Sequence, residues 1–273
     1  MDEPGGFGGR GRGGGRGARF DKDWTKGSIV GNLMSLGWPM MVGGSLNMLG
    51  PTIDMIWVGR LGSAAIAGVG VSGMIVMLVN SAMMGLYQGL RALIARAIGA
   101  GNQEEANHVV QQGFIIDITY VTIMALVGIF FAEPILVLMG VDADVVSQGA
   151  PYLRINFIGM VSMSMRMITE ASMQASGDAK KPMWVAAFFR LFHIVLAPFL
   201  IFGWWIFPQM GVTGAAVTNV LSQGVGAALG LWFLFSGRTR LRLSLRNFGF
   251  DGKTIWRIIK VGFPASIMGM ERT

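Results

Sequence analysis

The chain has 273 residues, of which 52% are hydrophobic and 14% charged, with a formal net charge of +7 and no cysteine. A soluble domain carries about 25% charged residues, so this composition points to an integral membrane protein. The lack of cysteine excludes disulfides, thiolate nucleophiles and cysteine-ligated zinc, and two lone histidines, His108 and His193, cannot form a local HExxH-type metal site.

Residues 1–27, "MDEPGGFGGRGRGGGRGARFDKDWTKG", are rich in glycine and arginine and cannot bury a core. They are expected to form a disordered basic tail beside anionic membrane lipids. RNA binding through the Arg-Gly repeats is the alternative for this stretch.

Six apolar segments follow, at roughly 30–57, 63–88, 110–132, 148–174, 183–206 and 212–236. Each reaches the length of about 20 residues that crosses a bilayer. Polar or glycine-containing breaks separate them: "GRLGS", "GAGNQEEANH", "GVDAD", "SGDAKKP" and "FPQMG". The tail and the even-numbered connections hold Arg10, Arg12, Arg16, Arg19, Lys22, Lys26, Arg91, Arg96, Lys180, Lys181 and the basic cluster at 238–260. The opposite side holds Arg60 with Glu133, Asp142 and Asp144. This asymmetry predicts a multi-pass plasma-membrane protein with a cytoplasmic N-terminus. It also makes the net charge a topology signal, so nucleic acid is not needed to explain it.

Small residues recur at every fourth position in two segments: Ala64, Gly68 and Ser72 in the second, and Gly214, Thr218, Ser222, Gly226 and Gly230 in the sixth. Such stripes let helices approach closely in lipid. After a basic linker at 237–253, residues 254–273 enter a seventh apolar segment and stop. "VGFPASIMG" (261–269) echoes "LGWPMMVGG" (36–44), with Gly–aromatic–Pro in register. The expected architecture is therefore all-α: a six-helix lobe at 28–236 followed by the truncated start of a second half.

"GVGVSG" at 68–73 matches the dinucleotide fingerprint literally, but no βαβ pattern surrounds it and no acid follows about 20 residues later. Ionisable groups inside the apolar segments carry more information. An acid at a helix centre costs about 2.5–3.5 kcal/mol on insertion scales, so such groups mark ion or substrate paths. Asp54 is the clearest of them. Asn47, seven residues earlier, lies on the same helical face, and Pro51 between them cannot donate a backbone hydrogen bond. That combination suits a proton or a monovalent cation such as sodium. Arg166 and Glu170 are spaced i,i+4 and can pair. Arg190 and His193 lie in the fifth segment, where a histidine can switch charge near neutral pH. Asp117 and Arg154 fall near segment ends and are expected at the membrane interface.

Four stretches resemble the multidrug and toxic compound extrusion (MATE) transporters: "WPMMVGGSLNMLGPTIDMIWVGRLGSAAIAGVG", "GLRALIARAIGAGNQEEAN", "QASGDAKKPM" and "GVTGAAVTNVLSQ". The resemblance implies a twelve-helix fold in two six-helix lobes, no cofactor, and efflux of small organic, often cationic, compounds against a sodium or proton flow. It implies that a missing second lobe is the chain's partner beyond Thr273. Asp54 matches the family's first-helix coupling aspartate, Thr218 a sixth-helix threonine of the same site, and Asn47 a common polar amide. The fifth helix departs, with His193 and Ala197 where an asparagine and an aspartate are usual. Glu170 stands where an asparagine is common, so it is a candidate for the second carboxylate, and Arg166 and Arg190 are candidate cavity or supporting residues. The alternatives are a lipid-linked saccharide flippase of the same superfamily and a non-transporting membrane fragment.

Overall fold

The computed structural model describes residues 28–244 and 248–270. The expected tail at 1–27 lies outside them. The described residues form long helices: α1 (Ile29–Val58), α2 (Ser63–Gly99), α3 (Gln103–Leu138), α4 (Ala143–Ala175), α5 (Lys180–Phe202), α6 (Gly211–Phe235) and α7 (Gly252–Met270).

Local chemistry fixes several of the ends. Ser28 Oγ accepts the Gly31 N–H at 3.4 Å and starts α1. Asn102 Oδ1 accepts the Glu105 N–H at 3.0 Å, and the Asn102 amide reaches Glu105 Oε2 at 3.3 Å. This reciprocal cap starts α3 seven residues before the apolar run that marks it in the sequence. Gly203, with φ +72°, closes α5 in the left-handed region that a side chain would disfavour. Pro39 and Pro51 both lie inside α1, which remains one helix across them.

α4 is the centre of the bundle, packed against α2, α3 and α6, while α5 joins α1 to α6 and α7 lies along α2. Four helices, α2, α3, α5 and α6, are long and apolar enough to cross a membrane by composition. The sequence reading placed six spans; α1 and α4 miss that threshold. For α4 the cause is position: Asn156, Ser164, Arg166, Thr169, Glu170 and Ser172 are buried against neighbouring helices, so it needs fewer apolar residues facing lipid.

The small-residue stripes are packing faces. Ser72 donates to the Gly149 carbonyl at 3.2 Å, and a Cβ on Gly68 would meet Gly149 N at 3.0 Å. Along α6, a Cβ on Gly214 would run into the Leu200 carbonyl, one on Gly226 into Arg166, and one on Gly230 into Thr169. A further glycine contact was not legible beforehand: Gly85 and Gly89 of α2 meet the backbone of α7 at Gly262 and Ile258. "GVGVSG" lies inside α2, where no strand–turn–helix exists to hold a nucleotide.

The linker before α7 is fastened to the start of α3. Asn107 exchanges hydrogen bonds with the Ser244 backbone at 3.0 and 2.9 Å, and Gln112 does so with the Gly249 carbonyl at 2.7 Å and the Asp251 N–H at 3.0 Å. Asp251 accepts from Thr254 Oγ1 at 2.6 Å and from the Lys253 N–H at 2.9 Å, and contacts His108 Nε2 at 3.1 Å. The Thr254 hydroxyl and His108 hold its carboxyl well below the usual carboxylate range.

Candidate functional site

Burial along α1 follows a four-residue step through Gly50, Asp54 and Val58, which is the face turned to α5. On α5 the corresponding face carries Phe189, Arg190, His193 and Ala197, all buried. The acid and the imidazole meet there. His193 Nε2 stands 3.2 Å from Asp54 Oδ1, with side-chain exposures of 1% and 10%. The approach lacks hydrogen-bond alignment, and among the described residues neither Asp54 Oδ1 nor either imidazole nitrogen has another partner. Two titratable groups are therefore buried together with bonding capacity unused, in a setting where unsatisfied polar atoms are costly.

Arg190, one turn before His193, reaches the same helix lower down. Its Nε donates to the Leu46 carbonyl at 2.8 Å and its Nη2 to the Asn47 carbonyl at 3.1 Å. Asn47 spends its own amide on the Gly43 carbonyl at 3.0 Å. Tyr152 of α4 and Arg190 both lie within electrostatic reach of Asp54.

Glu170 is placed elsewhere. It pairs with Arg166 of its own helix, as the i,i+4 spacing allows. Arg166 also donates through Nε to Gln223 Oε1 at 2.5 Å and stacks its guanidinium 4.5 Å from the Phe189 ring centre. Gln223, Asn219 and Asn156 continue this polar seam between α4 and α6 to the Tyr152 carbonyl, through bonds of 3.4, 3.3 and 2.9 Å. No contact among the described residues joins Glu170 to Asp54. Thr218 is buried on α6 and donates to the Gly214 carbonyl at 2.7 Å. The structure thus brings together Asp54, His193, Arg190, Asn47 and the Pro51 turn. It gives Glu170 to Arg166.

Asp117, expected near a segment end, lies inside the bundle. It is 0% exposed, and its Oδ1 accepts from Tyr87 Oη at 2.8 Å. Ser164 stands close to the carboxyl but gives its hydroxyl to the Val161 carbonyl at 3.1 Å. Arg154 is exposed.

A hard cation such as sodium favours an all-oxygen cage. Beside Asp54 the fifth helix offers an imidazole nitrogen and the buried methyl of Ala197, with a guanidinium in electrostatic reach.

The MatE family model matches residues 39–199, well over half of the chain. The chain belongs to the MatE family. Members of this family are transporters rather than enzymes, and the chain is a multi-pass membrane protein with part of the MATE fold. It is 28% identical over 258 residues to the probable multidrug resistance protein YpnP of Bacillus subtilis (strain 168), covering 92% of this chain and 55% of that one. A MATE structure described as being in the bent conformation superposes with TM-score 0.82 at 26% identity, over 93% of this chain and 55% of the other. An outward-facing conformation of a multidrug resistance MATE transporter gives TM-score 0.78 at 28% identity, over 88% and 52%. The MatE chain described here therefore spans about half the length of the relatives it matches.

Proposed function

We propose that this MatE lobe works in a proton-coupled exporter of small organic, often cationic, compounds, moving by alternating access against a second six-helix lobe. The observation that carries the reading is the buried Asp54–His193 contact at 3.2 Å across the α1–α5 interface. Protonation of that pair changes the charge of the interface, and an ion drives transport only through different affinities in the two states. Asn47 and Tyr152 support the pair, and Glu170 serves as the counter-ion of Arg166. The basic side is read as cytoplasmic, which puts the N-terminus inside and Asp54 in the outer half of α1.

The flippase alternative calls for a basic cavity. Here Arg166 is engaged by Glu170 and Gln223, and Arg190 by two α1 carbonyls. Both guanidinium groups are used within the protein, which favours the exporter.

The test is efflux of a fluorescent organic cation from proteoliposomes holding the full-length protein, with pH and sodium gradients imposed separately. A pH gradient, acid on the side receiving the dye, is expected to drive efflux without sodium. Efflux driven by a sodium gradient at equal pH would contradict the proton reading.

A further inference from the structure

Asp117 is a buried acid outside the α1–α5 contact, on a helix, α3, that packs against α2 and α4. Its two oxygens are served unequally. Oδ1 accepts from Tyr87 Oη of α2 at 2.8 Å, while Oδ2 has no hydrogen-bond partner among the described residues. Ser164 of α4 stands beside the carboxyl, but a hydroxyl carries one hydrogen, and this one goes to the Val161 carbonyl at 3.1 Å. Ser164 Oγ therefore offers only lone pairs, as an ionised Oδ2 does, and two acceptors side by side form no bond. A proton on Oδ2 removes the mismatch. The acid then donates to Ser164 Oγ, Ser164 donates to the Val161 carbonyl, and Tyr87 donates to Oδ1. A carboxylate with one donor is costly at a site with no exposure, whereas the neutral acid is bonded through both oxygens.

We propose that Asp117 is a second proton-binding site of the lobe, at which one proton ties α2, α3 and α4 together. The ionisable groups around it are Tyr87 and Arg91 on α2, Tyr120 on α3, and Arg166 and Glu170 on α4. These are engaged elsewhere or lie off the free oxygen. Tyr120 gives its hydroxyl to the Val79 carbonyl at 2.8 Å, Arg166 is taken by Glu170 and Gln223, and Arg91 has Glu170 within electrostatic reach. The cations of α7 lie in its first half, where Arg257 stands 3.8 Å from Glu105 at the start of α3. α7 itself grips the other side of α2: Gly85 and Gly89 meet its backbone, and Tyr87, midway between them, lies about 200° around the helix. The proton on Asp117 is not exchanged for organic substrate, so the site is independent of the Asp54–His193 pair.

The test is infrared spectroscopy of the full-length protein in liposomes, at mildly acid pH and without sodium. The spectrum should contain the carbonyl band of a protonated, hydrogen-bonded carboxylic acid that Asp117→Asn removes and Asp54→Asn retains. Asparagine reproduces the neutral acid, its oxygen accepting from Tyr87 and its amide donating to Ser164, so this variant is expected to fold. Tyr87→Phe and Ser164→Ala each delete one hydrogen bond of the acid and should move the band to higher frequency. If Asp117→Asn fails to insert, these two variants decide, and a band unmoved in both overturns the proposal. An Asp117→Asn spectrum identical to that of the wild type overturns it too. A band that added sodium removes at fixed pH assigns the oxygens to a metal ion and has the same consequence. Proton release on adding an organic cation should be unchanged in Asp117→Asn; release that falls in this variant overturns the independence of the site from substrate exchange.

Discussion

Replacing Asp54 with asparagine is expected to abolish pH-driven efflux while leaving the protein folded and able to bind its organic substrate. Asparagine keeps the volume and the hydrogen-bonding oxygen but cannot exchange a proton. The energetic link between the proton and the conformational change disappears with that exchange. Coupling energies of one to three kcal/mol correspond to about 5- to 150-fold in affinity, so a loss of roughly 100-fold in driven efflux is the scale to expect. The passive, downhill leak of substrate should change little. His193→Gln is a milder lesion: the carboxylate persists, but its buried contact with the imidazole is lost. Efflux is expected to continue at a reduced rate. A proteoliposome assay of both variants over a pH series separates these outcomes, and an Asp54→Asn protein that still concentrates dye would contradict the first.

The second large effect is on stability. Arg166 and Glu170 have side-chain exposures of 3% and 11%, and Arg166 also serves Gln223. Arg166→Met leaves the carboxylate and the amide oxygen buried without a donor. Breaking one side of a buried pair costs about 3–5 kcal/mol. Replacing both members with methionine removes both charges, and such apolar exchanges are often neutral. The double variant is therefore expected to be more stable than Arg166→Met alone, measured by unfolding in detergent. A double variant as damaged as the single one would show that the pair is not an isolated unit.

Much of this was legible in the sequence, for physical reasons that differ residue by residue. Asp54 stood out because an acid in an apolar run has few explanations. Arg166 and Glu170 followed from helical spacing, which is local. The glycine stripes of α2 and α6 were readable because close helix approach needs small residues at fixed intervals. What needed the structure was register between helices. Nothing in "FRLFHIV" states that Arg190 lands on the Asn47 carbonyl while His193 lands on Asp54. The pairing of Glu170 with Arg166 follows from spacing, while its relation to α1 depends on register that the sequence does not state. The start of α3 at Gln103 was not legible because its capped, polar first turns carry no apolar signal. The Asn156–Asn219–Gln223 seam was passed over because single amides in apolar helices look like packing variation. Their shared face on α4 and α6 was the available clue.

The central claim is that the Asp54–His193 pair gives up a proton when organic substrate is taken up. It is tested most directly by measuring proton release in weakly buffered detergent solution as an organic cation is added at fixed pH, without sodium. Release of about one proton per bound cation is predicted for the wild-type protein, falling to near zero in Asp54→Asn, as reciprocal linkage between two ligands requires. Undiminished release from Asp54→Asn, or wild-type binding that displaces sodium and no proton, would contradict the account.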